Sequence, residues 1–333
     1  EATRYEPITD WDSHVFVTAS EKLEHGKTRA ILACDSVSYF AFEHLLRPVE
    51  AEWLGRRIVL DPGAAGHAGM SNRIRQLRER GAVSVMLDYD DFNSQHTLEA
   101  QQLVISRLIA KTGYDPALGK RLIDSFEHMH IHVRGSEVGL AKGTLMSGHR
   151  GTTFLNSVLN SAYIRLSLGE ELYQSVWSVH VGDDVYMSVP TLETAGHIVQ
   201  AMGSSPCRLN PLKQSVGTVS AEFLRMAITD RDVQGYLARS VGSLVSGNWV
   251  AEHRLDAIEG INTMIQSCRT IYNRSRGTDI SSLVAASAAR ICGSNPNKLL
   301  SLLRGEVAIG AGPVFQNYGS IRHFEVNVVW REQ

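Results

Sequence analysis

The chain has 333 residues, 43% of them apolar and 20% charged, with a formal net charge of −2. This is an ordinary soluble globular composition, long enough for one large core or two to three subdomains, and it excludes a uniformly basic nucleic-acid coat while leaving room for a basic channel. No apolar run approaches the roughly 18 residues of a membrane span, and the four widely separated cysteines (Cys34, Cys207, Cys268, Cys292) suggest neither a zinc site nor a disulfide framework, so a reducing compartment is expected.

The first residue is Glu1 rather than methionine, so the expectation is a fragment or processed piece of something longer. Lys22, Lys27 and Arg29 cluster on an extended segment ahead of a helix over about Ser36 to Trp53. Arginine forks and lysine point charges suit a triphosphate; a solvated charged hairpin is the alternative. Leu60 to Met70 is a glycine-rich loop without the Gly-Lys-Ser/Thr ending of a P-loop. The helix after it carries Arg73, Arg75, Arg78 and Arg80, which with Arg56 and Arg57 form either a nucleic-acid path or a solvated face.

Val83 to Asp88 reads as a buried strand ending in an acid, a usual position for a metal ligand. Asp90 and Asp91 are candidates for turn and helix-start residues. Helices are expected to about Lys111 and again over about Pro116 to Phe126. His128, His130 and His132 then share one face of a strand. With no cysteine or carboxylate at ligand spacing, a polar strand face outweighs a zinc or manganese site.

Ser147-Gly148 leads into a helix through about Leu168, on which Thr152 and Asn156 are stacked four residues apart. A hydroxyl and an amide so placed can read a ribose 2′-hydroxyl, or simply cap the helix and pack in the core. Val179-His180-Val181-Gly182-Asp183-Asp184-Val185-Tyr186-Met187 reads as a tight hairpin with an acidic tip. Adjacent carboxylates there are costly unless a divalent cation sits between them, although alone the tripeptide is a weak signal. A helix over Thr191 to Met202, a loop bearing Lys213, a strand or hairpin over Val219 to Ala227, and a helical region from Asp230 follow. That region is expected to contain helices over Ala251 to Asn273, Ile280 to Cys292 and Asn297 to Arg304, before an apolar tail over Phe324 to Trp330.

The order of these stretches carries more than any one of them. A basic cluster, a strand-end Asp, Ser-Gly-x-x-x-Thr-x-x-x-Asn and Gly-Asp-Asp together resemble the RNA-dependent RNA polymerases of RNA viruses. Asp88-Tyr89-Asp90-Asp91-Phe92-Asn93-Ser94-Gln95-His96 and Gly148 to Ser157 look most like those of totiviruses and related double-stranded RNA viruses. The resemblance covers about Lys22 to Arg225. It implies an α+β right hand of fingers, palm and thumb, with a small antiparallel palm sheet backed by helices. Fingers would span 1–81, the palm 82–229 with a fingers insertion at about 97–145, and a helical thumb 230–333.

It further implies template-directed RNA synthesis by nucleotidyl transfer with release of pyrophosphate. Two divalent ions ~3.5–4 Å apart would activate the 3′-hydroxyl and stabilise the leaving group, held by carboxylates from two strands. Asp88 and Asp183 lie 95 positions apart (183 − 88), so only a fold of this kind brings them together. They are the expected ligands of Mg²⁺, with Mn²⁺ also accepted and Asp184 as a secondary ligand. Lys22, Lys27 and Arg29 would hold the incoming triphosphate. Asn93, Ser147, Gly148, Thr152 and Asn156 would bind the nucleotide. Lys213 would be the general acid for pyrophosphate, and Phe223, Leu224 and Arg225 would support the primer end. Many relatives carry a second Asp where this chain has Asn93, which keeps a hydrogen-bonding group and loses a metal ligand.

RNA template and product and NTPs are the expected partners, with fusion to or packaging by a capsid protein a further expectation and no membrane. The expected location is the virion interior or host cytoplasm. A reverse transcriptase is the nearest rival reading, but would prefer a bulky gate against the 2′-hydroxyl. A catalytically inactive RNA-binding or capsid-associated module should have lost the acids first. A metal-dependent phosphohydrolase has no use for the Ser-Gly-x-x-x-Thr-x-x-x-Asn stretch.

Overall fold

The computed structural model describes residues 10–24, 27–60, 66–229, 231–246, 256–292, 294–310, 314 and 322–324. The chain divides into two compact units, Glu1–Val233 and Gln234–Gln333.

The first unit begins with a hairpin of β1 (Val15–Glu24) and β2 (Lys27–Cys34), followed by α1 (Ser36–Ala51). Asp35 starts α1 by accepting the Ser38 N–H, satisfying an otherwise orphaned helix-terminal donor. α2 (Gly66–Arg78) starts inside the stretch expected to be a glycine-rich loop. The loop expectation therefore fails over 66–70. Glycine disfavours helix only by about 1 kcal/mol per residue, and Met70 and Ile74 bury into a core that repays it.

β3 (Val83–Leu87) is followed by α3 (Leu98–Thr112), which Thr97 caps at its start and Gly113, with φ of 66°, ends. Next come α4 (Pro116–Asp124), β4 (Met129–Val133) and β5 (Ser136–Leu140). The strands β2-β1-β4-β5 form one sheet in that order, with β1 and β4 parallel. Its core joins Val15, Val17, Phe42, Leu45, Ile105, Leu122 and Phe126 to the start of α5 (Thr152–Leu168).

After α6 (Glu170–Ser175) the chain forms β6 (Trp177–Val181), β7 (Asp184–Val189), α7 (Leu192–Gly203) and β8 (Ser215–Gly217). These strands and β3 make the sheet that positions the site, in the order β6-β7-β3-β8, antiparallel throughout. Alternation gives it two buried faces. Val85, Leu87, Val185 and Met187 pack with Ile164 of α5 and with Ala195 and Ile198 of α7. On the other face Val179 and Tyr186 meet Ile74 of α2 and Phe223. Phe223 belongs to a tight hairpin of β9 (Ser220–Phe223) and β10 (Met226–Thr229). The short β11 (Val233–Gly235) leads out of the unit.

The second unit holds α8 (Leu237–Ser246), α9 (Ala257–Arg274), α10 (Ser281–Cys292) and α11 (Pro296–Leu303), then the parallel pair β12 (Val307–Ile309) and β13 (Arg322–Phe324). Ile265, Cys268, Ala285, Leu299, Leu302 and Ile309 make its core. Residues 325–330 of the expected apolar tail, and Asp230, lie outside the described residues. No described helix is long and apolar enough to cross a membrane.

Candidate active site

The register of the central sheet brings the acids together. Leu87 pairs with Val185, and the next step along both strands sets Asp88 beside Asp184. Val181 pairs with Asp184 to close the hairpin, leaving Gly182 and Asp183 at its tip. Gly182 has φ of 62°, a conformation that a side chain would strain. Burial pushes the Asp184 carboxyl up to about 6. The charges of Asp183, Asp88 and Glu222 add to that, and Arg225 opposes it. Each of these groups is therefore within electrostatic reach of Asp184.

Three acids from two neighbouring strands suit a hard divalent cation, and both the burial and the neighbouring charges that raise the Asp184 pKa are costs such an ion relieves. Among the described residues no three His, Cys, Asp or Glu side chains converge tightly enough to cage a metal by themselves. The Asp88 carboxylate lies against Lys213, whose Nζ donates to both oxygens at 3.2 and 3.3 Å. Gln214 fixes the same strand end, donating through Nε2 to the Asp88 main-chain oxygen at 2.7 Å. Lys213, placed only loosely by sequence, thus reaches the strand-end acid directly.

The acidic tip is held from behind by α5. Asn160 Nδ2 donates to the main-chain oxygens of Gly182, Asp183 and Asp184 at 3.2, 3.0 and 3.4 Å, while its Oδ1 accepts from Tyr89 at 3.0 Å. Ser157 Oγ accepts the Gly182 N–H at 2.7 Å. Sequence reasoning missed Asn160, although its position four residues after Asn156 was the available signal.

Asn156 is buried one turn earlier in a directed polar chain. Its Nδ2 donates to Asn93 Oδ1 at 2.9 Å, and its Oδ1 faces His96 Nε2 at 2.8 Å. Because Asn156 Oδ1 can only accept, His96 must carry its proton on Nε2. Its Nδ1 then accepts from the Tyr163 hydroxyl at 3.1 Å. Burial lowers the His96 pKa, and the Asn156 bond opposes that shift. Asn93 Oδ1 is engaged by Asn156, which leaves the Asn93 amide N–H groups to point elsewhere. His96 and Tyr163 were not foreseen in this role, because their partners are 60 and 67 residues distant in sequence.

The other nucleotide-binding candidates divide. The Thr152 hydroxyl is used within the helix start, against the main-chain oxygens of Met146 at 2.8 Å and His149 at 2.6 Å. Ser147 Oγ accepts the Leu32 N–H at 2.9 Å, and Gly148 donates to Leu32 O at 2.8 Å. A Cβ on Gly148 would come within 2.8 Å of Ala33 Cα, so only glycine lets this loop lie on β2. Lys22 and Arg29 are register partners across the β1–β2 hairpin and both are exposed. Lys27 is in β2, with its side chain outside the described residues.

Phe223 is fully buried in the core, whereas Leu224 and Arg225 form the turn between β9 and β10. Both turn residues adopt left-handed backbone, at φ of 49° and 62°, where Asn-Gly would be the unstrained choice. His130 lies between His14 Nδ1 at 2.7 Å and Glu137 Oε1 at 2.7 Å, and Phe16 stacks on its ring. β4 carries His130 and His132, with His128 just before it, and these imidazoles make a polar, aromatic face.

A family model described as viral RNA-directed RNA-polymerase matches residues 1–249. The chain is 41% identical over 326 residues to the probable RNA-directed RNA polymerase of Helminthosporium victoriae virus-190S, covering 98% of this chain and 39% of that protein. It is 42% identical over 320 residues to the protein of the same description from Leishmania RNA virus 1 - 1, covering 95% and 36%. The chain therefore spans well under half the length of these relatives. Among solved structures, an RNA-dependent RNA polymerase of a human picorbirnavirus matches with a TM-score of 0.62 at 14% identity, over 78% of this chain and 53% of that one. The BmCPV polymerase at elongation state matches with a TM-score of 0.58 at 12% identity, over 91% and 27%. These two likenesses show a shared α+β polymerase fold, and with the sequence matches the conclusion is plain: the chain belongs to the viral RNA-directed RNA polymerase family, of the totivirus-like type.

Proposed function

We propose that this chain is the catalytic part of a viral polymerase that copies an RNA template from NTPs and releases pyrophosphate. The observation that carries the reading is the meeting of Asp88 with the Asp183-Asp184 tip across β3 and β7, where burial first, and then the charges of Asp183 and Asp88, raise Asp184 to about 6. Asp88 and Asp183, with Asp184 beside them, would hold Mg²⁺ or Mn²⁺, which when bound lowers the pKa of a 3′-hydroxyl and offsets triphosphate charge.

The chain's own residues supply the rest. Asn160 and Ser157 keep the acidic tip in place, so the carboxylates need little rearrangement to act. Lys213, which donates to Asp88, would give a proton to the departing pyrophosphate. Lys22, Lys27 and Arg29 would draw in the triphosphate, with Gly148 and Ser147 locking the nucleotide loop to their hairpin. Asn93 and Asn156 would distinguish ribose from deoxyribose. Ser147 and Thr152 would act on the nucleotide through loop and helix geometry, since their hydroxyls are engaged with main chain. Leu224 and Arg225 would support the primer end from the turn, with Phe223 anchoring them in the core.

In this reading 1–81 supplies fingers, 82–229 the palm with a fingers insertion at about 97–145, and 230–333 the thumb. RNA and NTPs are the partners, fusion to or packaging by a capsid protein is the setting, and the virion interior or host cytoplasm is the place of action. Template-dependent incorporation of labelled ribonucleotides by the full-length protein tests the proposal. Incorporation that survives Asp88→Asn unchanged would overturn it.

A further inference from the structure

One face of α2 and its C-terminal extension was left unused by the catalytic reading. Asn72, Arg73, Gln76 and Arg80 recur there at three- and four-residue intervals. Together with the segment after α1 and the start of β6 they line a cavity of about 860 Å³. Four guanidinium groups, those of Arg56, Arg57, Arg73 and Arg80, line it along with Trp177, and among the described residues no Asp or Glu does.

Among the described residues, the hydrogen bonds that hold Arg57 and Arg73 in place go to neutral groups. Arg73 Nη2 donates to the main-chain oxygens of Gly55, at 3.3 Å, and Arg56. Arg57 donates to Ser178 Oγ at 2.9 Å and to Gln174 O at 3.3 Å, and its guanidinium lies 4.4 Å over the Tyr173 ring. These acceptors are neutral. Burial lowers the Arg73 pKa. Glu170 is within electrostatic reach of Arg57 but is itself ion-paired with Arg165. At the rim Arg80 lies 4.2 Å over the indole of Trp177, which is 47% exposed.

We propose that this pocket holds a segment of single-stranded RNA, with phosphates against the arginines and a base on Trp177. Aromatic platforms beside a basic groove bind single strands with little sequence preference. From Arg73 on α2 (Gly66–Arg78) to Arg80 in the turn after it the charges extend over about 10 Å, which suits successive phosphates of a backbone better than one compact triphosphate. The identity of the polyanion rests on the polymerase reading. Trp177 opens β6, at the opposite end from the Gly182-Asp183 tip, so ~3.4 Å per strand residue puts the pocket about 15 Å from the reaction centre. It is a second RNA contact, separate from catalysis.

The test measures anisotropy of a labelled oligouridylate bound to the full-length protein in EDTA, without NTPs, over a range of salt. Arg56→Ala/Arg80→Ala should weaken binding about tenfold and reduce the slope of log K against log salt by about 1. Trp177→Ala should weaken it roughly tenfold, and Trp177→Phe should recover most of the loss. With neither metal nor NTPs present, the assay reads RNA binding apart from catalysis, which separates this claim from the catalytic one. Unchanged affinity and salt slope in the double arginine variant would overturn the proposal. So would displacement of the oligomer by free nucleotide at low concentration, which would mark the pocket as a nucleotide site.

Discussion

Asp184 offers a direct view of the electrostatic cost of the acidic cluster. Burial first, and then Asp183 and Asp88, raise its carboxyl from the ordinary 3.8 to about 6. The native state therefore holds a proton that the unfolded chain has released, so this group's contribution to stability falls as pH rises from about 4 to about 6. One pKa unit is worth about 1.4 kcal/mol, so the charged form costs at most about 3 kcal/mol at neutral pH. Asp184→Asn keeps the shape and removes the charge. In EDTA at pH 7.5 the variant should be more stable than wild type by up to that amount, which for a unit of this size is a melt some 5–10 °C higher. At pH 4 the two should converge. Added Mg²⁺ should raise the wild-type melt more than the variant's, because the ion is bound partly by relieving that repulsion. Parallel pH profiles for the two proteins, or a less stable variant at pH 7.5, would refute the reasoning.

Other consequences follow from the site's hydrogen bonds. Asn160→Ala frees the main chain of the acidic tip and should lower kcat roughly tenfold to a hundredfold with little change in KM, as single-turnover incorporation would report. An unchanged kcat would remove Asn160 from the account. His96→Phe strands the Asn156 carbonyl and should reduce the preference for ribonucleotides about tenfold, while Asn93→Asp still offers Asn156 an acceptor and should keep most of it. Competition between ribo- and deoxynucleotides measures both, and equal discrimination in His96→Phe would contradict the polar chain. Arg150 bridges Glu43 and Glu50 on α1, so Arg150→Ala should cost roughly 3 kcal/mol in chemical denaturation by leaving two partly buried carboxylates without their cation. A loss below about 1 kcal/mol would show that the bridge is solvated.

The features legible in the sequence were those set by local chemistry. The strand ending at Asp88, the Gly182 hairpin, the Thr191 cap of α7 and the helix after Gly151 all announce themselves within a few residues. Reading Leu60 to Met70 as a loop went wrong over its second half, because tertiary burial of Met70 outweighed the low helix propensity of its glycines. The partners of the site's side chains were not legible. Asn156 finds His96 and Asn93 only because α5 packs beside the segment after β3, and a hydroxyl such as that of Thr152 can equally serve a ligand or its own helix start. Nor does spacing reveal that Phe223 turns into the core while its neighbour Arg225 stays exposed, since that depends on the register of the β9–β10 turn.

The central claim is that the acids joined across β3 and β7 catalyse RNA synthesis. Labelled-nucleotide incorporation on a single-stranded RNA template, with Mg²⁺ or Mn²⁺, tests it most directly when wild type and Asp183→Ala are compared with ribo- and deoxynucleotides. The account predicts template-dependent RNA from wild type with ribonucleotides and none from the variant. Incorporation by Asp183→Ala at the wild-type rate, or wild-type preference for deoxynucleotides, would contradict it.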